Sequence, residues 1–116
     1  MSEQSISNEL KSMNLRFATL GKALPQAMGA FRNLMSEASK SGNLSTRVKE
    51  LMALAIAVHK GCGDCILFHV SNAKSHGASR EELAETLAVA IEMGGGPAAV
   101  YAGKALAAYD ALTNDK

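Results

Sequence analysis

Residues 45–77 read STRVKELMALAIAVHKGCGDCILFHVSNAKSHG, and two helices joined by one tight turn account for their pattern. Ser45 is a typical N-cap residue, and the apolar run from Leu51 to Val58 follows it without strand-like alternation. Gly61 is suited to end this helix, and Gly77 is suited to end the next one. Because the first of the two helices is apolar on nearly every face, we expect it to lie at the centre of an all-α fold.

Two further helices are expected before this stretch. The first ends near Gly21 and carries one apolar stripe, formed by Leu10, Met13, Phe17 and Leu20. Pro25 suits the first position of a second helix, which runs to about Lys40. The linker of Ser, Gly and Asn that follows then leads into the central pair.

Two more helices are expected after residues 45–77. Ser79 and Glu82 form a capping-box pattern that opens a fifth helix. The glycines of 94–96 interrupt the pattern, and Pro97 begins a sixth, Ala-rich helix that reaches about Leu112. The sequence therefore predicts an all-α, single-domain bundle of about six helices.

Length, composition and charge narrow the class of protein. The chain has 116 residues, of which 47% are hydrophobic. We therefore expect residues 1–116 to form one globular domain. A net charge of +1 offers no long-range field that would attract nucleic acid or anionic lipid. The chain shows neither a secretory signal pattern nor an apolar run near the ~20 residues that cross a bilayer. We therefore expect a cytoplasmic protein whose partners include neither nucleic acid nor a membrane.

The Ala-rich sixth helix bears on assembly. Alanine lets a helix approach its neighbour closely but does not fill a deep core, and aromatic residues make up only 4% of the chain. Part of the apolar surface should therefore meet another subunit. We predict a homo-oligomer.

The two cysteines, Cys62 and Cys65, form a C-x-x-C motif where the fourth helix begins. In a reducing compartment such a pair indicates redox chemistry or metal binding rather than a structural crosslink. The partial positive charge of a helix N-terminus favours thiolate over thiol. Residues three apart share a helix face, so the two sulfurs could form a disulfide. Two buried structural cysteines are the alternative interpretation.

His69 and Glu50 are the candidate partners of this pair. His69 lies one helical turn after Cys65 on the same face, so its imidazole could accept the Cys65 proton. If the chain folds back at Gly61, the rise of ~1.5 Å per residue brings Glu50 and His69 to similar heights. Glu50 could then orient His69 or relay its proton. A solvated first-turn carboxylate explains Glu50 equally well, and an ordinary helix residue is the alternative for His69.

A zinc site is the main alternative to catalysis. His59 completes an H-x-x-C-x-x-C-x-x-x-H array with four potential zinc ligands, His59, Cys62, Cys65 and His69. Structural zinc sites more often gather ligands from separate segments, whereas one nearly continuous helical stretch would supply all four here. A zinc- or redox-binding module without turnover therefore stays open as a second hypothesis. An oligomeric interaction protein with an inert site is a third.

The E-x11-C-x-x-C-x3-H spacing from Glu50 to His69, followed by the Gly95-Gly96-Pro97 break, resembles the carboxymuconolactone decarboxylase family. Within that family the chain is similar to the alkylhydroperoxidase-D-like branch, over about residues 25–112. The resemblance implies an all-helical fold that assembles into trimers, hexamers or similar rings. It also implies an antioxidant peroxidase or disulfide-reductase cycle without a metal or other cofactor. The substrate would be a small-molecule hydroperoxide or disulfide, and an external dithiol would donate the electrons.

The resemblance also implies a role for each site residue. Cys65 would attack the peroxide and pass through a sulfenic acid, Cys62 would resolve it as a disulfide, and His69 with Glu50 would form the proton relay. Helix position alone instead favours Cys62, which is nearer the N-terminus of the helix, as the thiol with the lower pKa.

The chain departs from the peroxidase pattern in two ways. Asp64 stands where a histidine can assist the relay, and the chain is shorter than the two-lobed peroxidases. Both differences weaken the expectation of peroxide turnover more than that of dithiol chemistry. Family members that decarboxylate lactones generally lack the cysteine pair, so that activity is a weaker alternative.

Overall fold

The computed structural model describes residues 2–112, which contain α-helices and no strand. The helices are α1 (Glu3–Ala23), α2 (Pro25–Ser39), α3 (Thr46–Lys60), α4 (Gly63–Ser75) and α5 (Arg80–Ala111). The all-α class expected from the sequence is confirmed. Within the described range, no helix is both long and apolar enough to cross a membrane.

Local sequence signals set most of the helix boundaries. The Ser45 hydroxyl accepts a hydrogen bond from the backbone N–H of Val48, as an N-cap does. Ser79 and Glu82 form the reciprocal capping box at the start of α5. Gly61 ends α3 in the left-handed conformation, with φ at 73°. These boundaries lie where the sequence predicted them.

The predicted fifth and sixth helices form one element, α5, which reverses direction at Gly95. A straight helix would separate Arg80 from Asp110 by about 45 Å, yet their Nε and Oδ1 atoms lie 2.8 Å apart. The backbone at Gly95 has φ 71° and ψ −148°, a region open essentially to glycine alone. Over residues 2–112 the structure therefore has five helices rather than about six, because no loop separates the two arms of α5, residues 80–94 and 96–111.

Gly94, just before this reversal, allows α5 to lie close to the end of α3. A Cβ added at Gly94 would lie 2.7 Å from the Cβ of Ala98 and 3.1 Å from Cδ2 of His59. Any side chain at Gly94 would therefore push against His59 near the end of α3. Pro97 suits the start of the second arm because its missing N–H would have no helical acceptor there.

Lys74 of α4 ties down the far end of α5. Its ammonium group donates hydrogen bonds to the carbonyl oxygens of Tyr109 and Leu112, at 2.8 and 2.6 Å. Carbonyl groups at a helix C-terminus lack helical partners, so a lysine there satisfies them. The Tyr109 hydroxyl in turn donates to the Ala78 carbonyl at 2.7 Å. The second arm of α5 is thereby anchored to α4 and to the loop after it.

The core forms where α3 packs against α4 and α5. Its largest fully buried side chains are Ile6, Leu54, Val58, Ile66, Val70 and Leu83. The central position predicted for α3 is therefore observed. One face of α3 nevertheless stays open, because Met52 is 49% exposed and Ile56 is 60% exposed. An all-round apolar pattern did not mean burial on every side within this chain.

Candidate functional site

The turn between α3 and α4 positions the two cysteines. Cys62 is the N-cap of α4, and its sulfur accepts a hydrogen bond from the backbone N–H of Cys65 at 3.2 Å. The two sulfurs are joined in a disulfide, with the Cα atoms 5.2 Å apart. Cys65 is exposed and Cys62 is half-buried. The sulfur pair therefore lies at the N-terminal end of a helix, and Cys65 is its accessible member.

The residue before Cys62 is held by contacts from α5. Gly61 has a positive φ, and a Cβ added there would lie 3.1 Å from Cε2 of Tyr101. The tyrosine ring, on the second arm of α5, thus covers the turn closely. The backbone that leads into the cysteine motif has little room to move.

Glu50 and His69 form a hydrogen-bonded pair across α3 and α4. His69 Nδ1 lies 2.7 Å from Glu50 Oε1, and only 8% of the Glu50 side chain is exposed. Since a carboxylate can only accept, Nδ1 donates whenever Glu50 is ionised, which leaves Nε2 of a neutral imidazole as an acceptor. Glu50 is therefore not the solvated carboxylate considered above. The turn at Gly61 brings these two side chains together as the spacing predicted.

Two cavities have His69 in their lining. One, of about 400 Å³, is lined on its polar side by Ser36, Ser39, Lys49, Glu50, His69 and Asn72. The other, of about 190 Å³, is lined by His69, Cys65 and five apolar side chains. Because His69 lines both, a group in the second cavity can reach Cys65 and His69 at once, while the first gives solvent access to the Glu50 side.

Asp64, between the cysteines, contacts Arg16, a residue that the sequence analysis did not assign to the site. Arg16 of α1 donates a hydrogen bond to the Asp64 carboxylate at 2.8 Å, and both side chains are at least half exposed. Forty-eight positions separate the two residues, so no local spacing could have indicated the pair. A positive charge therefore faces the one acidic side chain within the cysteine motif.

The four ligands proposed for zinc do not gather in the structure. The His59 ring lies against Gly94 at the reversal of α5, and His69 is hydrogen-bonded to Glu50. Across residues 2–112, no three His, Cys, Asp or Glu side chains are grouped so that they could hold a metal ion. The zinc hypothesis thus lacks an assembled ligand set.

Comparisons with known proteins place these features in a wider context. Residues 25–108 match the carboxymuconolactone decarboxylase family model. An uncharacterized protein of Cupriavidus necator is 55% identical over 107 residues, which make up 92% of this chain and 95% of that protein.

Two solved structures share the fold. The crystal structure of a carboxymuconolactone decarboxylase family protein from Legionella pneumophila superposes with a TM-score of 0.87 at 42% identity, covering 91% of this chain and 95% of that one. A family member from Thermotoga maritima, for which a part in an antioxidative response has been suggested, has a TM-score of 0.70 at 32% identity. That match covers 73% of this chain and 88% of the other.

Proposed function

The chain belongs to the carboxymuconolactone decarboxylase family, and on this premise we propose that it is a thiol-dependent peroxidase or disulfide reductase of the alkylhydroperoxidase-D-like branch. The observation that carries the proposal is the partly buried Glu50–His69 hydrogen bond, whose histidine lines a cavity together with Cys65. A dithiol that can close to a disulfide, next to a histidine oriented by a carboxylate, has the parts of a nucleophile with its base.

In the proposed cycle, the Cys65 thiolate attacks the terminal oxygen of a hydroperoxide. An S–O bond forms, the O–O bond breaks, and the alkoxide takes a proton and leaves as the alcohol, so Cys65 becomes a sulfenic acid. His69 takes the proton from the Cys65 thiol and returns it to the alkoxide, while Glu50 holds the imidazole in position. The Cys62 thiolate then attacks the Cys65 sulfur, and the hydroxide leaves as water.

An external dithiol completes the cycle. One of its thiolates attacks the protein disulfide to give a mixed disulfide, and its second thiolate releases the protein with both cysteines reduced. The donor ends as a disulfide, so its two electrons account for the hydroperoxide that was reduced. If the oxidant is a small disulfide, the same exchange steps run without the sulfenic acid.

The environments of the two sulfurs support this division of roles. Cys65 is the exposed cysteine and shares a cavity with His69, which suits the sulfur that meets the peroxide. Cys62 receives the backbone hydrogen bond at the helix N-terminus, which stabilises negative charge on its sulfur. A stabilised thiolate is a good leaving group, so Cys62 suits the sulfur that departs when the donor attacks Cys65.

Cysteine variants test the proposal directly. We expect Cys65→Ser to lose peroxide consumption, because the attacking sulfur is gone. Cys62→Ser should react once and hold a sulfenic acid on Cys65, which dimedone traps and mass spectrometry detects. Full peroxide consumption by Cys65→Ser with a dithiol donor would contradict the assignment, as would recovery of untouched thiols after hydroperoxide or a small disulfide is added to the reduced protein.

We further propose that the chain works as a cytoplasmic homo-oligomer, a trimer or hexamer. The support is the exposed apolar side chains on α3 and α5, namely Met52, Ile56, Val89, Met93 and Val100. Patches of this kind are typical of subunit contacts. A reducing compartment would also supply the external dithiol.

A further inference from the structure

We propose that α1 and α2 form the wall of a substrate pocket at Cys65, which takes an apolar group about the size of one aromatic ring and selects such substrates over hydrogen peroxide. The inference rests on the proposed function, which it extends by naming the substrate class and the residues that choose it.

The composition of the smaller cavity is the first argument. The chain contains three phenylalanines, and all three line this one cavity of about 190 Å³. Its apolar lining consists of Met13, Phe17, Phe31, Met35 and Phe68. Cys65 and His69 supply the polar atoms of its lining. The reactive sulfur thus lies at the edge of an aromatic and thioether pocket.

The chemistry of this lining decides the kind of group that binds. A polar or charged group placed among these side chains would lose its hydrogen bonds to water and find few replacements. An apolar group loses nothing and removes apolar surface from water. The substrate part that enters should therefore be hydrocarbon, with its reactive oxygen or sulfur atoms at Cys65.

The volume sets the size of that group. An apolar protein cavity of roughly 150 Å³ binds benzene, so a pocket of this volume fits a single ring or a compact branched alkyl group. Hydrogen peroxide has no such group and gains no binding energy from the pocket. A long acyl chain exceeds it.

The second argument is the placement of α1. This helix precedes residues 25–108, the part that matches the family model, so Met13 and Phe17 come from outside the shared region. Ile6 is 1% exposed and Met13 is 8% exposed, and they anchor α1 on the rest of the chain. The Arg16–Asp64 hydrogen bond fixes the same helix to the cysteine motif. These contacts hold the part of α1 that leads into Phe17.

The exposure of the aromatic rings is the third argument. Phe17 remains 37% exposed and Phe31 remains 45% exposed, although both line the cavity. Large aromatic side chains left open beside a reactive group are typical of a surface that a ligand covers. A bound ring would bury part of both.

Steady-state kinetics on the full chain test the selectivity. With one dithiol donor, we expect kcat/KM for cumene hydroperoxide to exceed that for hydrogen peroxide by about tenfold or more, since a filled apolar pocket is worth at least that ratio. A fatty-acid hydroperoxide should fall below cumene hydroperoxide. Phe17→Ala and Phe31→Ala should lose most of the preference for cumene hydroperoxide, seen as a fall in the ratio of the two kcat/KM values toward one.

Matched controls lie on the same two helices. Leu15 on α1 is 70% exposed and Leu34 on α2 is 63% exposed, and neither lines the cavity. Leu15→Ala and Leu34→Ala should therefore keep the wild-type preference. Equal kcat/KM values for the two peroxides would overturn the inference. So would a higher value for the fatty-acid hydroperoxide, or equal losses in the Leu15 and Phe17 variants.

A binding experiment separates this inference from the proposed function. Cumyl alcohol, added to the oxidised wild-type protein, should shift the NMR signals of isotope-labelled Met13 and Met35 methyl groups. The signals of Met52 and Met93, which lie outside the cavity, should stay in place. Shifts without any peroxide turnover would support the pocket and defeat the peroxidase proposal, whereas turnover without shifts would do the reverse.

Discussion

Glu50 is the only buried charged side chain within residues 2–112. Burying a carboxylate is costly unless a partner replaces the lost water, and here that partner is the imidazole of His69. Stability alone would be served as well by an apolar pair at this place, since a buried ion pair adds little net free energy. A buried carboxylate that holds the histidine beside the cysteines is what the proposed proton relay requires.

Replacing the Glu50 carboxylate by an amide tests whether Glu50 takes part in the proton relay. We expect Glu50→Gln to lower kcat/KM for peroxide by about 10²-fold, the lower end of what a positioned acid or base contributes. The amide keeps the shape but removes the charge that holds Nδ1–H. The measurement is peroxide consumption with a dithiol donor, with circular dichroism to establish that the helices persist.

The control is the double variant. If Glu50 acts through His69, then Glu50→Gln/His69→Gln should lose no more activity than His69→Gln alone. Additive losses would show that the two residues act separately, against the relay.

A second residue-scale expectation concerns Arg16 and Asp64. The carboxylate of Asp64 opposes negative charge on the nearby sulfurs, and the Arg16 guanidinium offsets it. We expect Arg16→Gln to slow iodoacetamide alkylation of the reduced protein at pH 7 by about two- to fivefold, a small factor because the pair is exposed. The effect should shrink in high salt.

The control for this experiment is to make Arg16→Gln in a protein that already carries Asp64→Asn. In that variant the guanidinium has no carboxylate to offset, so adding Arg16→Gln should change the alkylation rate less than it does in the wild type. An equal change in both backgrounds would mean that Arg16 acts on the sulfurs without Asp64.

At the scale of the elements, Gly95 controls the topology, because the second arm of α5 returns along the first only if the backbone turns there. Beyond the neighbouring residues of its own helix, no atom lies within 4 Å of a Cβ added at Gly95, so a substitution there would meet backbone strain and no clash. We expect Gly95→Ala to destabilise the fold by about 1–3 kcal/mol. In thermal unfolding, Tm should fall by roughly 4–15 °C.

Gly96 is the natural control. It also has open space around an added Cβ, but its φ is not positive. Gly96→Ala should keep or slightly raise Tm, since alanine restricts the unfolded chain more than glycine does. A Gly96 variant as unstable as Gly95→Ala would count against the strain argument.

The sequence could predict those features of the fold that depend on near neighbours in the chain. Ser45 and the Ser79–Glu82 box mark helix starts through bonds within one turn, and Pro25 does so through its fixed φ and missing N–H, so these positions were predictable. The division of α5 was not, because a glycine run signals an interruption without telling whether a loop or a sharp reversal follows.

The site was predictable to the same extent. Helical rise placed Glu50 level with His69, but their hydrogen bond and the burial of Glu50 depend on how α3 and α4 pack. The sequence could not predict that α1 contributes to the site, because Arg16 and Phe17 come near the cysteines only through tertiary structure. The apolar stripe of α1 was visible, and its pattern does not distinguish a core face from a pocket wall.

At the scale of the whole molecule, the exposed apolar side chains lead to an expectation about assembly. We expect sedimentation velocity at micromolar concentration to show a species heavier than one chain. Ile56→Asp, at a 60% exposed position on α3, should shift it toward the monomer because a charge would be buried at the contact.

Leu15→Asp is the comparison for this experiment. Leu15 is similarly exposed, at 70%, but lies on α1 rather than on the faces proposed to meet. It should leave the sedimentation coefficient unchanged. A wild-type monomer at micromolar concentration would refute the predicted assembly.

The disulfide joins residues only three positions apart, at the first turn of one helix. A crosslink over so short a segment restrains little of the chain, because the entropy removed grows with loop length. It joins the N-cap of α4 to the first turn of the same helix and does not crosslink two helices, so opening and closing it should leave the outline of the molecule nearly the same. A partner that distinguishes the oxidised protein from the reduced one should therefore contact the sulfur atoms directly, because the rest of the surface changes little between the two states.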